Sequence, residues 1–68
     1  MKRAFSADKM PFGVTVECFT DDGKICRARR SRKYGAEPLA GGYVLCWGQN
    51  RHLVYAVTWW PIHDTQAP

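Results

Sequence analysis

Hydrophobic and polar residues alternate along two neighbouring segments of the chain. The first segment, residues 14–20, is rich in β-branched and aromatic side chains, and the second covers residues 24–30. Asp22-Gly23 lies between them, and an Asp-Gly pair between two alternating segments is a strong signal for a β-hairpin. The pattern therefore predicts two antiparallel strands joined by a tight turn.

The separation of polar from apolar faces predicts the register of this hairpin. A two-residue loop would place Cys18 opposite Arg27 and bring charge onto the apolar face, whereas a three-residue loop over residues 21–23 places Cys18 opposite Cys26. We expect the three-residue loop, with Gly23 in the left-handed conformation. One predicted face holds Val14, Val16, Cys18, Cys26 and Ala28, and the other holds Thr15, Glu17, Phe19, Ile25, Arg27 and Arg29.

Two more strands are predicted in the second half of the chain. Residues 43–47 and 52–60 carry apolar side chains on both faces, with a turn at residues 48–51. Such strands are covered on both sides or wrapped into a barrel. Residues 31–42 show no lasting helical period and predict a long connection. Pro61 ends strand pairing because proline has no N–H.

These elements predict an all-β fold, a small curled antiparallel sheet or barrel of four to five strands built from two hairpins. With 68 residues, the chain has the length of a single domain. We expect residues 1–11 to form a flexible leader, residues 12–61 to form the β core, and residues 62–68 to form a short polar tail.

The charge of the chain favours an acidic partner. Ten Lys and Arg residues against six Asp and Glu residues give a formal net charge of +4. This charge suits nucleic acid, a ribonucleoprotein or an acidic protein surface, or serves solubility alone, and it disfavours mimicry of nucleic acid. The chain lacks an apolar run of signal-peptide or membrane-span length, and its three cysteines fit a reducing compartment. We therefore expect a cytoplasmic protein without membrane contact.

A basic segment beside aromatic residues is the candidate binding surface. Six of the ten basic side chains lie within residues 24–33. Arginines beside aromatics can hold phosphates and stack on bases, but a solvated edge strand can carry the same charges merely to prevent aggregation. Trp59 and Trp60 are adjacent, so one is expected in the core and the other at the surface. The predicted partner-binding residues are Arg27, Arg29, Arg30, Arg32, Lys33, Tyr34, Phe19 and Trp60.

The sequence predicts neither catalysis nor a bound metal or cofactor. The three cysteines and His52 are the ligand types of a zinc site, but without a Cys-x-x-Cys pair the cysteines are better interpreted as small core residues. His63 precedes Asp64, yet such a pair needs a nucleophile oriented beside it. We therefore expect a non-enzymatic protein.

Several short motifs resemble a group of prophage-encoded domains of unknown function. They are Met10-Pro11-x-Gly, the strand before Asp22-Gly23 and the closing Val-Thr-Trp-Trp-Pro of residues 57–61. The group has Val-Thr-x-Trp-x-Pro at its close, so this chain lacks one residue before the proline. The resemblance implies a phage or mobile-element origin, an antiparallel β arrangement and no known catalytic residues. Small phage proteins of this kind often resemble stoichiometric inhibitors of host machinery, including anti-CRISPR proteins.

Three functions follow as hypotheses. The leading one is a small protein that binds and blocks a host protein or ribonucleoprotein in the host cytoplasm through its basic and aromatic surface. The first alternative is a domain that binds DNA or RNA directly with the same residues. The second alternative is a structural or regulatory phage protein that forms a homodimer; the sequence is compatible with a monomer or a homodimer.

Overall fold

Five β-strands form one antiparallel sheet in the computed structural model, which describes residues 3–62. The elements are β1 (Phe5–Ser6), a short 3-10 helix (Ala7–Lys9), β2 (Thr15–Thr20), β3 (Ile25–Arg30), β4 (Val44–Gly48) and β5 (Leu53–Trp60). Strands β2 to β5 close into a four-stranded barrel, because β5 pairs with β4 through its first half and with β2 through its second half. β1 is an additional strand beside β5. The predicted all-β barrel is confirmed.

The hairpin of β2 and β3 has the predicted three-residue register. Cys18 lies opposite Cys26, Glu17 lies opposite Arg27, and Gly23 has a left-handed φ of 84°. Val14 is an exception, since it lies before β2 and 48% of its surface is exposed. The prediction that Val14 belongs to the buried face is wrong because the chain turns at the preceding glycine, whose φ is 73°.

Small side chains fill the barrel. A barrel of four strands has a narrow interior, because the diameter grows with the number of strands. The inward-facing residues Val16, Cys18, Ala28, Val44, Cys46 and Ala56 are each at most 2% exposed. A bulge in β5 helps to close this barrel. Phe19 pairs with Thr58 but Thr20 pairs with Ala56, so Val57 is an extra residue that bends the strand.

The segment predicted as a flexible leader contributes to the core. Ala7 is fully buried, Met10 is 2% exposed, and the Met10 Sδ lies 3.6 Å from the Cys46 thiol that donates to it. The Phe5 ring packs 5.1 Å from the Trp59 ring, measured between centroids. The prediction of a flexible leader is therefore wrong for residues 5–10, because a small barrel gains much of its apolar cover from this segment.

Parts of the chain lie outside the described residues. They are residues 1–2 and residues 63–68, which include His63, Asp64 and most of the predicted tail. Between residues 3 and 62, no helix has the length and hydropathy that crossing a membrane requires.

Candidate functional site

A cleft of about 570 Å³ lies on the outer wall of the barrel, where β3 meets β4. We call it the arginine cleft. It is lined by Thr15, Arg27, Ala28, Arg29, Trp47, Gly48, Gln49 and Arg51. These residues come from β2, β3, β4 and the turn between β4 and β5. Three guanidinium groups, one indole ring and one carboxamide therefore share a single depression.

Strand register brings the arginines and the indole together. Arg29 lies opposite Trp47 in the pairing of β3 with β4. Arg27 precedes Arg29 by two residues, and side chains two residues apart point to the same face of a strand. The outward face of β3 therefore presents both guanidinium groups beside the Trp47 ring.

The turn between β4 and β5 supplies the remaining polar groups. The Gly48 N–H donates to the His52 carbonyl at 2.7 Å, and Arg51 has a left-handed φ of 61°. A Cβ atom at Gly48 would lie 3.1 Å from the same carbonyl oxygen, so glycine permits this close turn. The turn then carries Gln49 and Arg51 to the rim of the cleft.

The arginine cleft has a positive electrostatic character. Its lining within the described residues includes three arginines and no acidic side chain. Glu17 lies opposite Arg27 on the neighbouring strand and accepts a hydrogen bond of 2.6 Å from the Trp60 indole N–H. One carboxylate beside Arg27 therefore offsets part of the charge, whereas the described lining beside Arg29 and Arg51 includes no acidic side chain.

Trp47 presents an aromatic surface in this positive setting. The side chain is 42% exposed. The Tyr34 ring packs against it with 5.7 Å between centroids and a tilt of 55°. Since Tyr34 comes from the connection after β3, this contact supports the indole from outside the barrel. The exposed part of Trp47 remains accessible to a ligand.

Arg30 is a structural residue, and its prediction as a partner-binding residue is wrong. It is 4% exposed because the alternation of β3 points it inward. Its Nε donates to the Gly35 carbonyl at 2.6 Å, and its Nη1 donates to the carbonyls of Met10 at 2.9 Å and Asp8 at 3.1 Å. The guanidinium also lies 4.3 Å from the centroid of the Phe12 ring. These contacts compensate for burying the charge.

Arg32 and Lys33 lie outside the cleft lining. The Arg32 guanidinium lies 4.4 Å from the centroid of the Phe12 ring, and the Lys33 ammonium lies 5.5 Å from the centroid of the Tyr34 ring. Both residues are exposed. Tyr34 joins the site through its contact with Trp47 rather than by lining the cleft.

Phe19 and Trp60 also lie apart from the cleft lining. Phe19 is 39% exposed and pairs with Ile25 next to the hairpin turn. Trp60 is half-buried at the end of β5, where its indole N–H bonds to Glu17. Of the predicted binding residues, the structure thus brings together Arg27, Arg29 and, through its aromatic contact, Tyr34.

Six of the eight lining residues were not among the predicted binding residues, and three of these six, Trp47, Gln49 and Arg51, carry an aromatic ring, an amide or a charge. The alternation of β4 contains a signal for Trp47, since its neighbour Cys46 is fully buried and adjacent residues face opposite ways. Gln49 and Arg51 lack such a signal, because their place at the cleft depends on the pairing of β3 with β4. That pairing joins strands separated by a long connection.

The three cysteines are core thiols. The Cys18 and Cys26 sulfurs lie 3.9 Å apart across the hairpin, and all three side chains are free. Within residues 3–62, no group of three or more His, Cys, Asp or Glu side chains is arranged to hold a metal ion. Burial raises the pKa of the Cys46 thiol to about 11, although the nearby Arg30 charge opposes this effect. Burial, and then the neighbouring Cys26, raise the Cys18 pKa well above its usual range.

The raised pKa of the buried Cys46 thiol predicts that the folded protein loses stability in alkali. A thiol in the unfolded chain has its ordinary pKa of 9.0, whereas folded Cys46 keeps its proton up to about pH 11. Between these values the unfolded chain binds fewer protons, so the free energy of unfolding falls as the pH rises. Urea titrations at about pH 8 and about pH 10 measure this fall. A Cys46→Ala variant should show a smaller fall, and an equal fall in both proteins would contradict the assignment.

Comparisons with protein-family models, with curated proteins and with solved structures found no match for this chain. The resemblance to prophage-encoded domains, the phage origin and the inhibitor function that it implies therefore stay predictions. The arginine cleft is the feature from which function can be argued.

Proposed function

We propose that this domain is a non-enzymatic binding module that holds nucleic acid in the arginine cleft. The observation that supports the proposal is the meeting of Arg27, Arg29 and Arg51 with the exposed Trp47 ring in one depression. Nucleic acid offers what these groups recognise, namely a chain of phosphates beside flat aromatic bases.

Each part of the cleft has a counterpart in such a ligand. The planar guanidinium of arginine can donate two parallel hydrogen bonds to one phosphate. An exposed indole can stack on a base. The Gln49 carboxamide both donates and accepts hydrogen bonds, so it can pair with the edge of a base. Barrel strands hold Arg27, Arg29 and Trp47, and rigid elements position binding groups better than loops do.

Replacement of Arg29 by glutamine should weaken nucleic-acid binding by roughly tenfold or more, because a hydrogen bond from a charged group contributes about 1.5–3 kcal/mol. The slope of log affinity against log salt should decrease by about 1. Arg27→Gln should have a smaller effect, because Glu17 lies opposite that guanidinium. Fluorescence anisotropy with labelled DNA and RNA oligonucleotides at several salt concentrations measures both quantities.

Lys24→Gln is the matched control for these variants. It makes the same change in net charge at an exposed residue of the hairpin turn, outside the cleft. Binding that falls equally in all three variants would show a general charge effect and argue against the cleft. The absence of any complex with DNA or RNA at low salt would overturn the nucleic-acid proposal.

An acidic protein surface is the partner to test in that event. The inhibitor hypothesis then predicts a host protein that the wild-type domain captures and Arg29→Gln does not. A homodimer would instead be detected by light scattering of the purified protein. The positive cleft suits an acidic protein as well as a phosphate chain, but the exposed Trp47 beside it favours a ligand with stacking bases.

A further inference from the structure

We infer that the arginine cleft selects single-stranded over duplex nucleic acid and seats an unstacked base on the Trp47 ring. This inference rests on the proposed function and names its ligand class. It follows from three features of the described residues: the support of the indole, the size of the cleft, and the shape of the elements around it.

Trp47 lies between two paired strands and has one aromatic contact from outside the sheet. Arg29 on β3 and Leu53 on β5 are its direct neighbours across the sheet. Tyr34 packs against the indole from the connection after β3, at 5.7 Å between centroids. A base that stacks on this ring therefore meets an aromatic surface whose ordering costs little further entropy, and a guanidinium lies beside it for the adjoining phosphate.

The size of the cleft suits one nucleotide rather than a groove of a duplex. Its volume of about 570 Å³ is in the range of small-molecule sites. A base can enter such a depression only when it has left its own stack, as bases do in single strands, loops and bulges. Bases in a duplex are paired and stacked, so Trp47 would have no base face to contact.

The elements around the cleft are unsuited to reading a duplex groove. The backbone of the domain spans 20 Å along its shortest axis, whereas the major groove of B-form DNA is about 12 Å wide. The described residues contain no α-helix that could enter the groove. The turn of the β2–β3 hairpin carries exposed Asp21 and Asp22, whose negative charges phosphates would repel. A duplex could therefore contact the arginines through its phosphate backbone but could not place a base on Trp47.

The test compares labelled single strands of about 12 nucleotides, as DNA and as RNA, with a duplex of the same length in the same salt. We expect tighter binding of the single strands. Trp47→Leu should weaken single-strand binding by about 5- to 150-fold, the range for loss of a stacked base, and should change duplex binding little. Trp47→Phe keeps a ring and should restore much of the affinity.

Tyr55→Leu is the control, because Tyr55 is also 42% exposed on the outer wall but does not line the cleft. Circular dichroism on each variant establishes whether it is folded. If Trp47→Leu does not fold, single-strand and duplex binding are compared between the wild type and Trp47→Phe, which should bind single strands less tightly. The inference would be overturned if the duplex bound as tightly as the single strands or more tightly, or if folded Trp47→Leu bound single strands as well as the wild type does. The proposed function would still stand in that case, provided that Arg29→Gln weakens binding. Failure to bind every oligonucleotide would overturn both.

Discussion

Replacement of Arg30 by methionine is expected to leave the domain largely unfolded without denaturant. The change keeps a long apolar stem but removes the donor to three backbone carbonyls, those of Asp8, Met10 and Gly35. Each buried acceptor without a partner costs about 1–3 kcal/mol. A domain of this size has a total stability of roughly 3–5 kcal/mol. Circular dichroism and urea unfolding measure the loss.

Arg29→Met is the matched control for this prediction. It is the same substitution one residue earlier on β3, but its side chain faces solvent, so we expect a change within about 0.5 kcal/mol. Arg30→Lys should be intermediate, because an ammonium keeps the charge but cannot reproduce the planar fork of donors. A cooperative transition of Arg30→Met at the wild-type urea midpoint would contradict the structural role of Arg30.

Gly35→Ala is expected to cost about 3 kcal/mol, at the upper end of the usual cost of overpacking. A Cβ atom at this buried glycine would overlap the Leu45 carbonyl oxygen and lie 3.1 Å from the Arg30 Cγ. The carbonyl belongs to the β4 backbone, so it cannot move aside as a side chain can. The backbone at Gly35 would therefore have to move to accommodate alanine, and this movement would displace the Gly35 carbonyl from the Arg30 Nε. The free energy of unfolding from urea titrations measures this effect.

Gly13→Ala separates steric overlap from backbone strain. Gly13 has a left-handed φ of 73°, but nothing lies within 4 Å of a Cβ atom there. Alanine at that residue should cost about 1–2 kcal/mol through its backbone alone. A double-mutant cycle of Gly35→Ala with Arg30→Lys should be non-additive, because both changes act on the same hydrogen bond. A cost at Gly35 no greater than at Gly13 would contradict the steric argument.

Local sequence determined the part of the fold that could be predicted. The hairpin of β2 and β3 depends on a short turn and on alternation between adjacent segments, so Cys18 and Cys26 could be paired from the sequence. The role of residues 5–10 could not be predicted in this way. Ala7 and Met10 become buried only when the barrel is present. Their sequence neighbours Asp8 and Lys9 are charged, so no local hydrophobic pattern indicates that burial.

The candidate site shows the same division between local and long-range information. Alternation along β3 correctly places Arg27 and Arg29 on one face and Arg30 on the other. Whether Arg30 is exposed depends on carbonyls from residues 8, 10 and 35, which no local pattern indicates. Trp60 was predicted as a binding residue, but the exposure of Trp47 and the half-burial of Trp60 depend on the pairing of β4 with β3 and of β5 with β2.

The closure of the barrel by β5 has a consequence for folding during synthesis. β2 pairs with β5, and β5 is the last of the five strands within residues 3–62. Until β5 leaves the ribosome, one edge of β2 and one edge of β4 have no partner, and unpaired edges invite association with other chains. Strand pairs so distant in sequence also form slowly. The nascent chain therefore depends on the late arrival of β5 to cover the open edges of β2 and β4.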